Sequence, residues 1–201
     1  MNPVRYRTEE EQLDAVKKWN FAIQYIYNPS EAVQLEAVRN TAWAISCIDN
    51  PSEKVQLEAV RNNGLVIRHI DNPSEKVQLA AVSMDGEAIR YIYNPSKTVQ
   101  LMAVRRSGLS ISYIHNPSEA VQLEAVRQTS RSIEYIHNPS KKAQLEAVKN
   151  NNELIRYIHN PSEAVIRYII KNCNNREIIQ SMRIDFEKLP DDLKLLLALL
   201  H

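Results

Sequence analysis

Asn28-Pro29-Ser30-Glu31-Ala32-Val33-Gln34-Leu35-Glu36-Ala37-Val38-Arg39 decides the fold, because the phrase returns along the chain. Asn-Pro-Ser recurs at Asn28, Asn50, Asn72, Asn94, Asn116, Asn138 and Asn160, always 22 residues apart. A weaker copy begins near Tyr6, where Gln12, Leu13, Ala15 and Val16 fall in phase with Gln34, Leu35, Ala37 and Val38. A short fixed period of this kind marks stacked units, each burying an apolar face that it cannot bury alone.

With the Asn counted as position 1, the unit reads N-P-S-E-x-V-Q-L-E-A-V-R, a short break, then x-x-I-x-x-I-x. Asn as N-cap, Pro at the first helical position and Glu two residues on form a capping signature, so a helix A is expected to start at each Asn. Position 14 is Thr41, Asn63, Asp85, Ser107, Thr129 and Asn151, all residues that cap helix N-termini, so a helix B is expected there. Helix B has room for about two turns before the next Asn-Pro and needs its neighbours to hold it.

Helical spacing places Val33, Gln34, Leu35, Ala37 and Val38 on one side of helix A. The isoleucine pairs of helix B, from Ile45 and Ile48 to Ile155 and Ile158, face them. The expected fold is therefore an all-α, right-handed solenoid of tandem helix-turn-helix units over residues 1–170, with a degenerate first repeat. Full repeats begin at 28, 50, 72, 94, 116 and 138, and a partial one at 160. Ile166, Arg167 and Tyr168 then break the pattern and Asn172–Asn175 interrupts the helix, so residues 171–201 read as capping helices, the last one leucine-rich.

The units resemble shortened HEAT or armadillo hairpins, and more closely the short NPSE-VQLAAV-type helical repeats of bacterial, phage and large-virus proteins. That resemblance implies a repeat scaffold that binds a macromolecule. A phage- or virus-type protein acting in the host cytoplasm on a host or antiviral-defence component is its furthest extension.

Composition narrows the functions. The chain carries 25 basic and 24 acidic residues, so no global field draws it to nucleic acid or anionic membrane. Cys47 and Cys173 belong to no CxxC or Cys/His cluster, which fits a reducing cytoplasm without disulfides or structural zinc. The longest apolar run, Leu195–Leu200, is too short to span a bilayer, and no membrane contact is expected. His115, His137 and His159 fall at position 22 of successive repeats, but packed helices stand about 8–10 Å apart, too far for a shared ion. No nucleophile–base pair, phosphate loop or paired carboxylate is found, so neither an enzyme nor a cofactor is expected.

Two sets of repeated polar residues have structural readings. Gln34, Gln56, Gln78, Gln100, Gln122 and Gln144 fall on the core side and are expected to hydrogen-bond turn backbones or one another as a ladder. Glu36 with Arg39, Glu58 with Arg61, and Glu124 with Arg127 are spaced i, i+3 and read as pairs along a wet helix face.

Positions 16, 19 and 20 of helix B vary where the core does not. There stand Phe21, Trp43, Leu65, Arg68, Arg90, Tyr91, Leu109, Tyr113, Arg131, Tyr135, Arg156 and Tyr157, types that dominate interface hot spots. With Met84 and Met102, which interrupt the charges of helix A, they are the candidate partner-binding residues, on a helix-B face expected to be concave. The aromatics also suit a covering role over the seams between repeats. A protein partner is the first expectation. The alternative is nucleic acid, with tyrosines stacking on bases and arginines touching phosphates. A dimer through the C-terminal helix is a further possibility that sequence leaves open.

Overall fold

The computed structural model describes residues 8–173 and 175–199. The expected first-repeat start at Tyr6, Asn174 of the asparagine-rich break and Leu200 of the leucine run lie outside them. The protein is 71% helical, with no strand among the described residues and helices packed in tandem at a 22-residue period, as an all-α repeat solenoid requires. Two compact units divide it, Met1–Arg106 and Ser107–His201.

Helix A of each repeat is a ten-residue α-helix: α1 Glu9–Lys18, α2 Glu31–Asn40, α3 Glu53–Asn62, α4 Glu75–Met84 and α5 Lys97–Arg106 in the first unit. The second unit holds α6 Glu119–Gln128, α7 Lys141–Asn150 and α8 Glu163–Asn172. Helix B is a 3-10 helix: η1 Ala22–Tyr25, η2 Ala42–Cys47, η3 Gly64–His69 and η4 Gly86–Tyr91, then η5 Gly108–Tyr113, η6 Ser130–Tyr135 and η7 Asn152–Tyr157. Its bonds close i→i+3, as in Ala44 N–H to Thr41 C=O at 3.0 Å and Ile48 N–H to Ile45 C=O at 3.2 Å. Three residues per turn align positions 15, 18 and 21 in one row, so that Ala42, Ile45 and Ile48 are all buried. A Cβ at Gly64, also position 15, would clash with the Ala81 carbonyl oxygen, which shows how closely adjoining repeats approach.

The start of helix A differs from the expectation. Asn28, Asn50, Asn72, Asn94, Asn116 and Asn160 take φ between 47° and 58°, the left-handed conformation that Asn tolerates better than most residues. They are the turn, not the cap. The N-cap is Ser30 and its counterparts, in the extended conformation that a cap needs, with Ser30 Oγ accepting from Val33 N–H at 3.4 Å. Glu31 consequently opens the helix instead of reaching back to it.

Its carboxylate turns to the next repeat, accepting from Ser52 Oγ and pairing with Lys54 at 3.3 Å. The link repeats as Glu53 with Ser74 and Lys76. These hydrogen bonds hold the Glu31 and Glu53 carboxyls below their ordinary range, the Ser52 hydroxyl leading at Glu31 and the Lys76 ammonium at Glu53. The helix A charge pairs also differ from the i, i+3 expectation. Arg39 bonds Glu58 of the following repeat at 2.9 Å, and Arg127 faces Glu146 at 3.8 Å. Shallow one-turn neighbours lose to partners presented side by side on the next helix.

The position-14 residues do begin helix B, and each also ends helix A with an extended backbone. Side-chain capping is limited to Asn63, Asp85 and Asn151, which accept from the backbone two residues on; Thr41, Ser107 and Thr129 make no such bond. Asn40 and Asn62, the last residues of their helices, donate to the Val16 and Val38 carbonyls of the preceding helix at 2.8 and 3.1 Å.

The glutamines form turn clamps. Each Nε2 donates to the carbonyl of its own repeat's proline, from Gln34 to Pro29 through Gln144 to Pro139, at 2.9–3.0 Å. Gln122 Oε1 accepts from Ser140 N–H at 2.7 Å and Gln144 Oε1 from Ser162 N–H at 2.8 Å, tying each turn to the next. Within each unit buried Val, Ala and Ile surround them, each large member contributing about 1.5–3 kcal/mol.

After α8 the chain forms α9 Arg176–Gln180, η8 Phe186–Lys188 and α10 Asp191–Ala198. Leu193 and Leu197 of α10 are buried, and Arg167 bonds both Glu163 and Asp192, fastening α10 to α8. The seal uses only part of the leucine run, since Leu195, Leu196 and Leu199 stay exposed.

Replacing Gln122 by Leu strands the Ser140 N–H and the Pro117 carbonyl, and urea denaturation should show a loss of about 1–3 kcal/mol; an unchanged midpoint refutes the clamp. At the left-handed turn, Asn72→Val should cost about 1–2 kcal/mol while Asn72→Gly is tolerated, a contrast that disappears if the turn does not depend on positive φ.

Candidate functional site

The 3-10 geometry decides what helix B shows to its surroundings. Positions 16 and 19 eclipse each other on the outer side, and position 20 lies beside them on the row of position 17, exposed at Tyr25, His69, Tyr113 and Tyr135 and half-buried at Tyr91 and Tyr157. None of the candidate residues is buried. Trp43, Leu65, Tyr91, Tyr157 and Met102 are half-buried, and Phe21, Arg68, Met84, Arg90, Leu109, Tyr113, Arg131, Tyr135 and Arg156 are exposed.

In the first unit the structure brings four of them together across three successive repeats. The Arg68 guanidinium lies over the Trp43 ring at 4.5 Å and reaches 5.9 Å from the Tyr91 ring, and Arg90 lies 4.9 Å from that same tyrosine. His69 completes the cluster, edge-on to Trp43 with centroids 5.8 Å apart. Guanidinium groups stacked on aromatic faces are attracted by the ring quadrupole and keep their in-plane N–H groups available.

Arg68 Nε–H donates to His69 Nε2 at 3.0 Å, a bond that requires the neutral imidazole with its proton on Nδ1. Partial burial, then the Arg68 charge, push the His69 pKa below its ordinary value. No carboxylate of the described residues lies within ion-pair distance of Arg68.

The second unit treats its arginines differently. Arg131 bonds Glu134 at 3.0 Å, which raises its pKa, and Arg156 stands 3.8 Å from Glu153. Both pairs are i, i+3, and three residues per turn superimposes them. The charges of these two repeats are thereby answered internally, beside the half-buried Tyr157.

Met84 and Met102 do not join this face. They belong to α4 and α5, where Met84 occupies the position that Asn40 and Asn62 fill elsewhere, and its carbonyl accepts instead from Arg106 Nε at 3.2 Å. Sequence reasoning missed His69 as a cluster member, the Trp19–Tyr25 stack at 5.2 Å, and Tyr27 and Tyr93, which stand almost wholly exposed in the inter-repeat turns. Reading helix B at three residues per turn would have found the Arg131–Glu134 and Glu153–Arg156 pairs.

Of the three position-22 histidines, His159 contacts Arg183 at 3.0 Å. Among the described residues no group of three or more His, Cys, Asp or Glu is placed to hold a metal ion, and no helix is long and apolar enough to cross a membrane. No protein-family model, curated protein or solved structure matches the chain.

The depressed His69 pKa has a sign. A base that resists protonation in the folded state contributes no penalty above the ordinary value of 6.5, and stability falls as pH drops below it. Proton NMR should give His69 a titration midpoint below 6.5 that rises in Arg68→Gln; a midpoint unmoved by that substitution contradicts the contact.

Proposed function

We propose that this chain is a non-catalytic, protein-binding repeat scaffold that grips its partner on the helix-B face. The carrying observation is the Trp43–Arg68–Tyr91 cluster: aromatic and guanidinium groups assembled from separate repeats, at positions that vary while the core rows beneath them stay constant. A side chain needed only to cover a seam would not leave a charged guanidinium exposed and without a carboxylate. Large aromatics and arginine in a partly desolvated cluster are the residue types that dominate protein interfaces.

Nucleic acid is less well supported. A phosphate track needs successive free cations, and on the same face of the second unit Arg131 and Arg156 are matched by Glu134 and Glu153. The test is affinity capture from the native cellular source with wild-type protein and with Trp43→Ala/Tyr91→Ala, each lysate being divided between nuclease and protease treatment. A partner protein retained by wild type after nuclease treatment and lost by the double variant is expected. Equal capture by both proteins refutes the assignment of the face, and retention that only nuclease abolishes refutes the partner class.

A further inference from the structure

We propose that the Arg68 cluster is a receptor for one carboxylate side chain, Asp or Glu, set among uncharged apolar residues of a partner segment. This deepens the protein-binding reading and rests on it. Its basis is a difference in local pairing. In a 3-10 helix the residue three positions before an arginine is its eclipsed neighbour. For Arg156 that neighbour is Glu153 and for Arg90 it is Glu87, but for Arg68 it is Leu65, which offers no charge.

Arg68 is oriented without being neutralised. Trp43 stacks on its face and His69 takes its Nε–H, which leaves the N–H groups of the two terminal nitrogens without a carboxylate among the described residues. A planar fork held in this way matches the two oxygens of a carboxylate, and its orientation is already fixed before binding. The half-buried Leu65 and Tyr91 beside it offer apolar contact for the residues flanking that carboxylate.

The surroundings also set a limit. Asp49 and Asp71 line the depression between η2 and η3 together with Ser46 and His69, and Glu87 stands on the next repeat. A run of acidic residues would bring like charges against these three. The surface therefore favours an isolated carboxylate over an acidic tract, and a polyphosphate backbone suffers the same repulsion.

The test uses the full chain and four immobilised probes: short synthetic peptides with one Glu among apolar and small residues, the same peptides with Gln for Glu, Glu-run peptides, and a single-stranded oligonucleotide. Wild type should retain single-Glu peptides, and Arg68→Gln should weaken them at least about tenfold. Arg68→Lys, which keeps the charge and loses the fork, should recover only part. Arg61→Gln on the exposed side of α3 controls for net charge and should bind as wild type. Unchanged melting of each variant by circular dichroism shows that the fold is retained.

Equal retention of the Glu and Gln peptides overturns the carboxylate assignment and leaves the protein-binding function standing. Tighter binding of Glu-run peptides overturns the preference for an isolated charge. Retention of the oligonucleotide with no peptide bound overturns both this inference and the proposed function, and failure of every probe overturns the receptor.

Discussion

A six-residue 3-10 helix cannot hold itself together in water, and this weakness organises the protein. Its few i→i+3 bonds do not repay the ordering of its backbone, so helix B depends on the α-helices packed against it, as η2 lies against α2 and α3 and η6 against α6 and α7. The rows of Ile45, Ile67 and Ile89, and of Ile111, Ile133 and Ile155, are fully buried for that reason. The glutamine clamps serve the same end at the turns, where buried carbonyls would otherwise lose their solvent partners.

Around that core the polar links run from one repeat to the next. A serine hydroxyl accepts from its own helix and donates to the preceding glutamate; a lysine two residues later pairs with the same carboxylate. Arginine 39 crosses to Glu58, and Asn62 crosses back to the carbonyl of Val38. Exposed ion pairs of this kind add little individually. Their effect is on register, since a shift of one residue between adjacent units would lose all of them together.

The core rows, the period and the glutamines were legible because burial and a 22-residue repeat leave a pattern in the residues themselves. The cap was not, because Asn-Pro-Ser-Glu offers two capping residues, and only the backbone angles show that Asn28 turns while Ser30 caps. The charge pairs were misread because a partner three residues away and one 19 residues away are equally plausible on a string of letters. At the candidate site, the variable positions pointed to Trp43, Arg68 and Tyr91, but His69 was hidden. It stands on the exposed row at the same position 20 as Tyr91, and only the folded chain shows its imidazole against the Trp43 indole and accepting the Arg68 Nε–H.

In each full repeat the connector between the two helices is a single residue, Asn63 or its equivalent, which closes one helix and opens the next. A joint that short leaves no slack to absorb an inserted or deleted amino acid. Within this chain every repeat from Asn28 to Asn160 accordingly keeps its 22 residues, whereas the outward side chains of helix B differ from one repeat to the next. Such a chain diversifies as a row of exchangeable tiles, each able to carry its own contact surface without renegotiating the frame that holds it.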